Sequence, residues 1–244
     1  MSGPVPQPGR GALPPRLVLL SPGELTPADL PAFEREVAAL AALHGARARL
    51  GVGLLLREAL LEDRACLGLL ERLRQRHGEL PIGVHDRLHL LAPGVSQAAA
   101  APAAAGAGEP RVGLERPWLH LAARSLSPAQ ARSLLPQACL GFSWHAGQTL
   151  PDPEALDYAC LSPIRAVPHK GTPIGFEALA LACQGAALPL WGLGGLESGD
   201  GALLRAAGAA GAFVSRAWRA ALAAGRLEAW LADFEDGLMG SGRP

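Results

Sequence analysis

Trp191-Gly-Leu-Gly-Gly-Leu196 and Gly211-Ala-Phe-Val-Ser-Arg216 are the two stretches whose reading decides the fold. In each, a short apolar run suited to a buried strand gives way to small or hydroxyl residues and then to a helical pattern. Gly194 and Gly195 carry no Cβ, so their backbone N–H groups can come close to an anion. Val214 ends the second run, and Ser215 and Arg216 open the helix after it, whose unpaired N–H groups and dipole favour a dianion. One Gly-Gly turn alone is equally a tight strand-to-helix connection. Two such turns at consecutive strand ends match the phosphate site that α/β barrels build after their seventh and eighth strands.

Six further strand candidates precede these two: Arg16–Leu20, Leu50–Leu56, Ile82–Val84, Trp118–Leu121, Cys139–Ser143 and Asp157–Leu161. Helical patterns fall between them. Thr26-Pro27 opens one with an apolar stripe at Leu30, Phe33, Val37, Leu40 and Leu43. Others are predicted at Asp63–Arg76, from Ser127-Pro128 onward, at Ile174–Cys183, at Ser198–Ala207 and at Ser215–Phe234. Strand–helix alternation implies a parallel sheet covered on both faces. The fold class predicted is α/β, a single-domain TIM (β/α)₈ barrel over residues 16–240. An open doubly wound sheet is the alternative, but it would announce itself with an early GxGxxG fingerprint, and none is present. Residues 1–15, rich in Pro and Gly, are expected to be a disordered tail. Residues 94–110, mostly Ala, Gly and Pro, read as a surface loop or a frayed helix.

The 244 residues suffice for one barrel, and 22 Lys+Arg balance 22 Asp+Glu. A neutral chain lacks the basic footprint of a nucleic-acid binder, so no nucleic-acid partner is expected. No apolar stretch is long enough to span a membrane, and the N-terminus has no apolar signal-peptide core, so a cytoplasmic location with no membrane partner is expected. Cys66, Cys139, Cys160 and Cys183 are widely spaced, without a CxxC pair, and read as small apolar core residues.

Several motifs resemble the thiamine-phosphate synthase/TenI (thiazole tautomerase) family. Gly141-Phe-Ser-Trp-His145 resembles that family's Gly-x-Ser-x-His, and Asp157-Tyr-Ala-Cys-Leu-Ser-Pro-Ile164 its Asp-Tyr-x-x-x-Gly-Pro-Ile/Val. Lys170 stands where the family has a lysine, Gly192-Leu-Gly-Gly-Leu196 resembles its Gly-Gly-Ile, and Gly208–Ser215 its Gly-Ala-Asp-Gly-x-x-x-x-Ser. The first half is similar more loosely: Leu55-Leu-Arg57-Glu58 to Gln-x-Arg-Glu-Lys, Gly83-Val-His85-Asp86-Arg87 to Ile-Asn-Asp-Arg, and Trp118–Leu121 to Val-His-Leu-Gly. The resemblance implies a phosphorylated small-molecule substrate. Relatives are often homo-oligomers, although nothing in the sequence locates an interface.

The resemblance also shows where this chain departs. A synthase joins a pyrimidine methyl pyrophosphate to a thiazole phosphate, and magnesium with basic side chains stabilises the departing pyrophosphate. Here the first-motif glutamine and lysine are Leu55 and Ala59, the asparagine before Asp86 is His85, and the second metal-binding aspartate falls near Ser125. The two threonines before the lysine are Val167 and His169. Asp86 would ligate magnesium only in a synthase; otherwise no cofactor is implied. A thiazole tautomerase needs only a proton shuttle, and His145 matches its strand-five histidine. The expected site is therefore His145 as acid/base, with Arg57, Ser143, His169 and Lys170 as substrate ligands and Gly194, Gly195, Val214 and Ser215 as phosphate ligands. Each has an ordinary alternative. His145 could be a loop histidine bonded to backbone, Arg57 could pair with Glu58 or Asp86, and Lys170 and His169 could be solvated. Ser143 could bond backbone, His120 could be a satisfied interior residue, and Trp118, Trp144 and Trp191 could be core or pocket walls. Three functions stay open: tautomerase, synthase, and a non-catalytic phosphate-ligand-binding or regulatory barrel.

Overall fold

The computed structural model describes residues 13–47, 49–91, 116–145, 147–168 and 170–240. Eight parallel strands close into one barrel in sequence order: β1 (Leu17–Leu20), β2 (Val52–Leu56), β3 (Ile82–His85), β4 (Trp118–Leu121), β5 (Cys139–His145), β6 (Tyr158–Ser162), β7 (Leu190–Leu193) and β8 (Gly211–Val214). Closure is made by β1 against β8, with Leu17 opposite Ala212 and Leu19 opposite Val214. Among the described residues the outer layer has α1 (Leu30–His44), α2 (Asp63–Arg76), α3 (Pro128–Leu134), α4 (Gly175–Gly185), α5 (Gly201–Ala206), α6 (Arg216–Ala223) and α7 (Leu227–Met239). The expected α/β barrel is thus the observed fold. None of these helices is long and apolar enough to cross a membrane.

The core has two parts, as the alternation of strand side chains requires. Outward-facing residues such as Leu19, Leu54, Leu119, Leu140 and Ala212 pack against the helices. Inward-facing Val18, Leu20, Leu55, Trp118, Cys139, Tyr158, Cys160, Trp191 and Phe213 fill the barrel. Burial pushes the Cys139 thiol up to about 12, in keeping with an inert core role. Cys183 is the exception among the four cysteines, being only partly buried.

Three details differ from the sequence-based expectation. Order reaches back into the predicted tail: Pro14 is buried, and the Pro15 carbonyl accepts the Trp191 indole N–H at 3.1 Å. The last helix is two helices, because the chain turns at Ala224-Gly225. The helix after β7 begins as a 3₁₀ turn, Ser198–Asp200, before α5. The 94–110 segment and the rest of the predicted tail lie outside the described residues.

Candidate active site

Most functional candidates stand at or just past the C-terminal end of a strand, which gathers residues distant in sequence around one mouth. Two adjoining cavities open there, of about 390 and 200 Å³. They share Leu20, Arg57, Ser162, Lys170, Leu193 and Phe213 as walls.

The larger cavity contains the glycine corner. Gly194, Gly195, Val214, Ser215, Arg216 and Ala217 line it. Gly194 and Gly195 have φ of +109 and +64, a region that suits glycine. A Cβ on Gly194 would lie 3.0 Å from Pro163 Cα, and one on Gly195 2.8 Å from Arg165 Cβ, so both positions also require the space. Ser215 is the N-cap of α6, and its hydroxyl makes no capping bond. Ser215 with Arg216 and Ala217 thus brings the N-terminal end of α6, where N–H groups lack intrahelical partners, to the cavity wall. Trp218 fastens this helix end to the barrel by donating its indole N–H to the Leu20 carbonyl at 3.0 Å.

A girdle holds the corner in shape. Ile164 and Arg165 donate backbone N–H groups to the carbonyls of Leu193 and Gly194, both at 2.9 Å, joining the loops after β6 and β7. The Arg165 guanidinium makes two hydrogen bonds to the buried carboxylate of Asp200 and lies over the Phe176 ring. Sequence reasoning missed these residues, because nothing local links position 165 to position 200. It also missed Glu24 and Glu197, two exposed carboxylates on the rim of the same cavity.

The smaller cavity is lined by His85, His120, Ser143, His145 and Ala122, together with the shared walls. His145 ends β5, and its Nδ1 lies 3.2 Å from the hydroxyl of Ser162 on β6. His120 is a satisfied interior residue: Nδ1 is 2.9 Å from the Tyr158 hydroxyl and Nε2 is 2.9 Å from Ser143 Oγ. Trp118 can only donate, and gives its indole N–H to Tyr158 at 2.8 Å. The Tyr158 proton is then free for His120 Nδ1, which leaves His120 Nε2–H to donate to Ser143. Ser143 therefore has its own proton available for the cavity. Burial, with the nearby His85 and Arg57 charges, holds His120 neutral well below the usual histidine range. His85, half-buried, is lowered to about 4, first by burial and then by Arg57, with Asp86 opposing and Lys170 adding.

Arg57 and Lys170 occupy the wall between the cavities. The alternative ion pairs of Arg57 do not form. The neighbouring Glu58 is buried and accepts the backbone N–H groups of Gly23 and Leu25 at 3.0 and 2.8 Å, pinning the loop after β1. Asp86 accepts the hydroxyl of Ser125. Among the described residues, then, Arg57 and Lys170 have no carboxylate partner. Lys170 is also the only lysine of the whole chain; the other 21 of the 22 basic residues, after subtracting it, are arginines. His169 lies outside the described residues. Trp118 and Trp191 are buried in the barrel, while Trp144 is half-buried near the mouth and bonds the Gln148 carbonyl at 2.9 Å.

Asp86 stands where the resemblance puts one magnesium-binding aspartate and Ser125 near where it puts the other, and the fold does bring them together. Magnesium asks for several oxygen ligands in near-octahedral geometry. Here one carboxylate is present, already engaged by a hydroxyl. Among the described residues no three His, Cys, Asp or Glu side chains gather around a common point. The side chains on hand do not by themselves make a divalent-cation site.

Comparison with known proteins agrees with this layout. The family model described as thiamine monophosphate synthase matches residues 111–218. A thiamine-phosphate synthase from Azorhizobium caulinodans is 32% identical over 166 residues, covering 66% of each chain, so this chain spans about two thirds of that relative's length. Thiamine phosphate pyrophosphorylase from Pyrococcus furiosus superposes with a TM-score of 0.62 at 15% identity, over 92% of this chain and 95% of that one. Mycobacterium tuberculosis tryptophan synthase superposes with a TM-score of 0.57 at 15% identity, over 92% and 93%. At such identities the two solved structures speak for the barrel alone, whereas the family-model match, residues 111–218, contains the glycine corner and the His145 strand. The chain belongs to the thiamine-phosphate synthase/TenI family.

Proposed function

We propose that this barrel binds a thiazole phosphate and catalyses a tautomerase-type proton transfer, with His145 as acid and base. The observation that carries the reading is the pairing of the two cavities: a glycine corner at the start of α6 adjoins an imidazole-lined chamber, with Arg57 and Lys170 between them. The phosphate would rest on the N–H groups around Gly194, Gly195, Val214 and Ser215. Arg57 and Lys170 would neutralise charge on the same ligand, and Ser143 would donate to an acceptor on its ring. His145 would take a proton from one atom of the non-aromatic thiazole carboxylate phosphate and deliver one to another. Substrate and product have the same composition, so no co-reactant and no cation enters the balance. Histidine suits the step because its ordinary pKa lies near neutrality.

Synthase activity is the second reading, favoured by the name of the Azorhizobium caulinodans relative. Against it stand Leu55, Ala59 and Ser125, which replace an amide, a cation and a carboxylate that the synthase pattern uses. One assay separates the two. The purified chain is given the non-aromatic thiazole carboxylate phosphate, and separately thiazole phosphate with the pyrimidine pyrophosphate and Mg²⁺. Formation of the aromatic tautomer, reduced at least a hundredfold in His145→Ala while thermal stabilisation by the ligand persists, is the expected result. Mg²⁺-dependent release of pyrophosphate would establish the synthase instead. Thermal stabilisation without turnover in either assay would mark a binding barrel.

A further inference from the structure

Ser162 is absent from the family pattern, where a glycine precedes the Pro-Ile of the sixth strand. In this chain it ends β6 directly opposite His145 in the β5–β6 register. It is only 2% exposed, and its Oγ lies 3.2 Å from His145 Nδ1. Among the described residues neither the hydroxyl nor the imidazole has another side-chain partner. We propose that Ser162 is a positioning residue that holds the His145 ring and keeps Nε2 directed into the cavity in both protonation states.

A buried polar group requires a partner, so the contact is retained rather than exchanged for water. A serine hydroxyl both donates and accepts. When the ring is neutral with its proton on Nδ1, that N–H donates to Ser162 Oγ and leaves the Nε2 lone pair free to take a proton from the cavity. When the ring is doubly protonated, Nδ1–H still donates to Ser162 Oγ and Nε2–H is the proton to be returned. A carboxylate in the same place would favour the charged ring, and the family's glycine would offer no side-chain partner. A base that must return its proton needs the same orientation before and after, and the Ser162 oxygen supplies it by accepting Nδ1–H in both states. The catalytic consequence rests on the proposed role of His145, but the orientation itself does not.

The test uses full-length chain labelled with ¹⁵N-histidine, the His145 signals being assigned by their loss in His145→Gln. Ring nitrogen shifts and couplings are compared for the native chain, Ser162→Ala, Ser162→Gly and Ser162→Thr, after backbone amide spectra show each variant folded. The expected result is one held tautomer in the native chain, a pattern moved toward a freely exchanging imidazole in the alanine and glycine variants, and recovery in the threonine variant. If a tautomerase assay is in hand, kcat falls roughly tenfold in Ser162→Ala with little change in KM, about the worth of one hydrogen bond. Ring signals in Ser162→Ala identical to the native chain overturn the proposal, whatever happens to the rate. Altered ring signals together with full turnover in His145→Ala leave the proposal standing and remove the catalytic reading of His145 instead.

Discussion

At Gly194 the backbone has φ of +109, and the place a Cβ would take is 3.0 Å from both Cα and Cβ of Pro163. The neighbouring proline is rigid and its carbonyl is tied to Ile174 N–H at 2.9 Å, so it cannot give way easily. Gly194→Ala should therefore cost ~1–3 kcal/mol of stability through backbone strain. If the corner holds phosphate as proposed, the same change should also weaken inorganic phosphate binding about tenfold, by displacing the corner's N–H groups. Chemical denaturation and calorimetric titration would check both. A second residue-scale expectation concerns acid. His85 titrates near 6.5 when unfolded but at about 4 in the folded chain. As pH falls from about 6.5 towards 4, the unfolded chain binds a proton that the folded chain refuses, so stability drops across that window and levels off below it. His120, also lowered, adds in the same direction. Thermal melts from pH 7.5 to 4 should show a decline that is shallower in His85→Asn; an unchanged slope would remove His85 as a source. Glycines at strand ends were legible in the sequence because their signal is local. The Ser162–His145 contact was not, since it joins residues 17 positions apart through the β5–β6 register, and the Asp86–Ser125 contact, 39 positions apart, was implied only by the family resemblance.

At the scale of elements, the sequence reads residues 215–234 as one helix and the structure makes it two. An alanine-rich surface carries a helical period through Ala223-Ala224-Gly225 without a visible break. What ends α6 is Gly225 at φ +66. Its N–H bonds the Leu222 carbonyl at 2.9 Å, and the next N–H, of Arg226, bonds the Ala221 carbonyl at 2.8 Å. This is the paired closure by which a left-handed glycine stops a helix. The turn frees α7 to fold back on α5, where Gly201 and Gly237 let the two helices meet: a Cβ on Gly201 would be 2.7 Å from Leu238 N. A side chain at Gly225 would touch nothing within 4 Å, so the cost of Gly225→Ala is backbone strain alone, about 1 kcal/mol. Gly185, at the end of α4, is also open to solvent but has no positive φ, so Gly185→Ala should be neutral or slightly stabilising. Urea midpoints of the two variants would separate conformation from composition. Equal shifts would mean that the turn tolerates an ordinary residue. Strands and the α2 boundaries were readable because their apolar patterns end at polar or proline residues; this boundary depends on one φ angle.

The whole molecule adds a constraint that no single element displays. A closed eight-stranded barrel has a fixed interior, and here Trp118, Tyr158 and Trp191 occupy it beside Phe213. The first three share one arrangement. Each lies against a glycine on an adjacent strand. A Cβ on Gly83 would be 2.4 Å from the Trp118 ring, one on Gly141 2.0 Å from Tyr158, and one on Gly211 2.3 Å from Trp191 Nε1. Large and small residues thus alternate around the barrel, which is how a limited interior is filled. The layer supports the site directly, since the Trp118–Tyr158 pair carries the hydrogen bonds that orient His120 and, through it, Ser143. Eight strand candidates with helical patterns between most of them were enough to infer closure. Which glycine faces which ring was not legible, because it depends on strand stagger. Complementarity of this kind predicts non-additive mutations. Gly83→Ala should cost ~1–3 kcal/mol by overpacking against Trp118, and Trp118→Leu ~2–4 kcal/mol by leaving a cavity. In the double variant the new methyl occupies part of the vacated space, so its total cost should fall short of the sum by about 1 kcal/mol or more. A double-mutant cycle in urea measures that coupling. Simple additivity would show that Gly83 is small for a reason other than the ring beside it, and the barrel interior would then have to be relaxed enough to absorb a methyl group without moving Trp118.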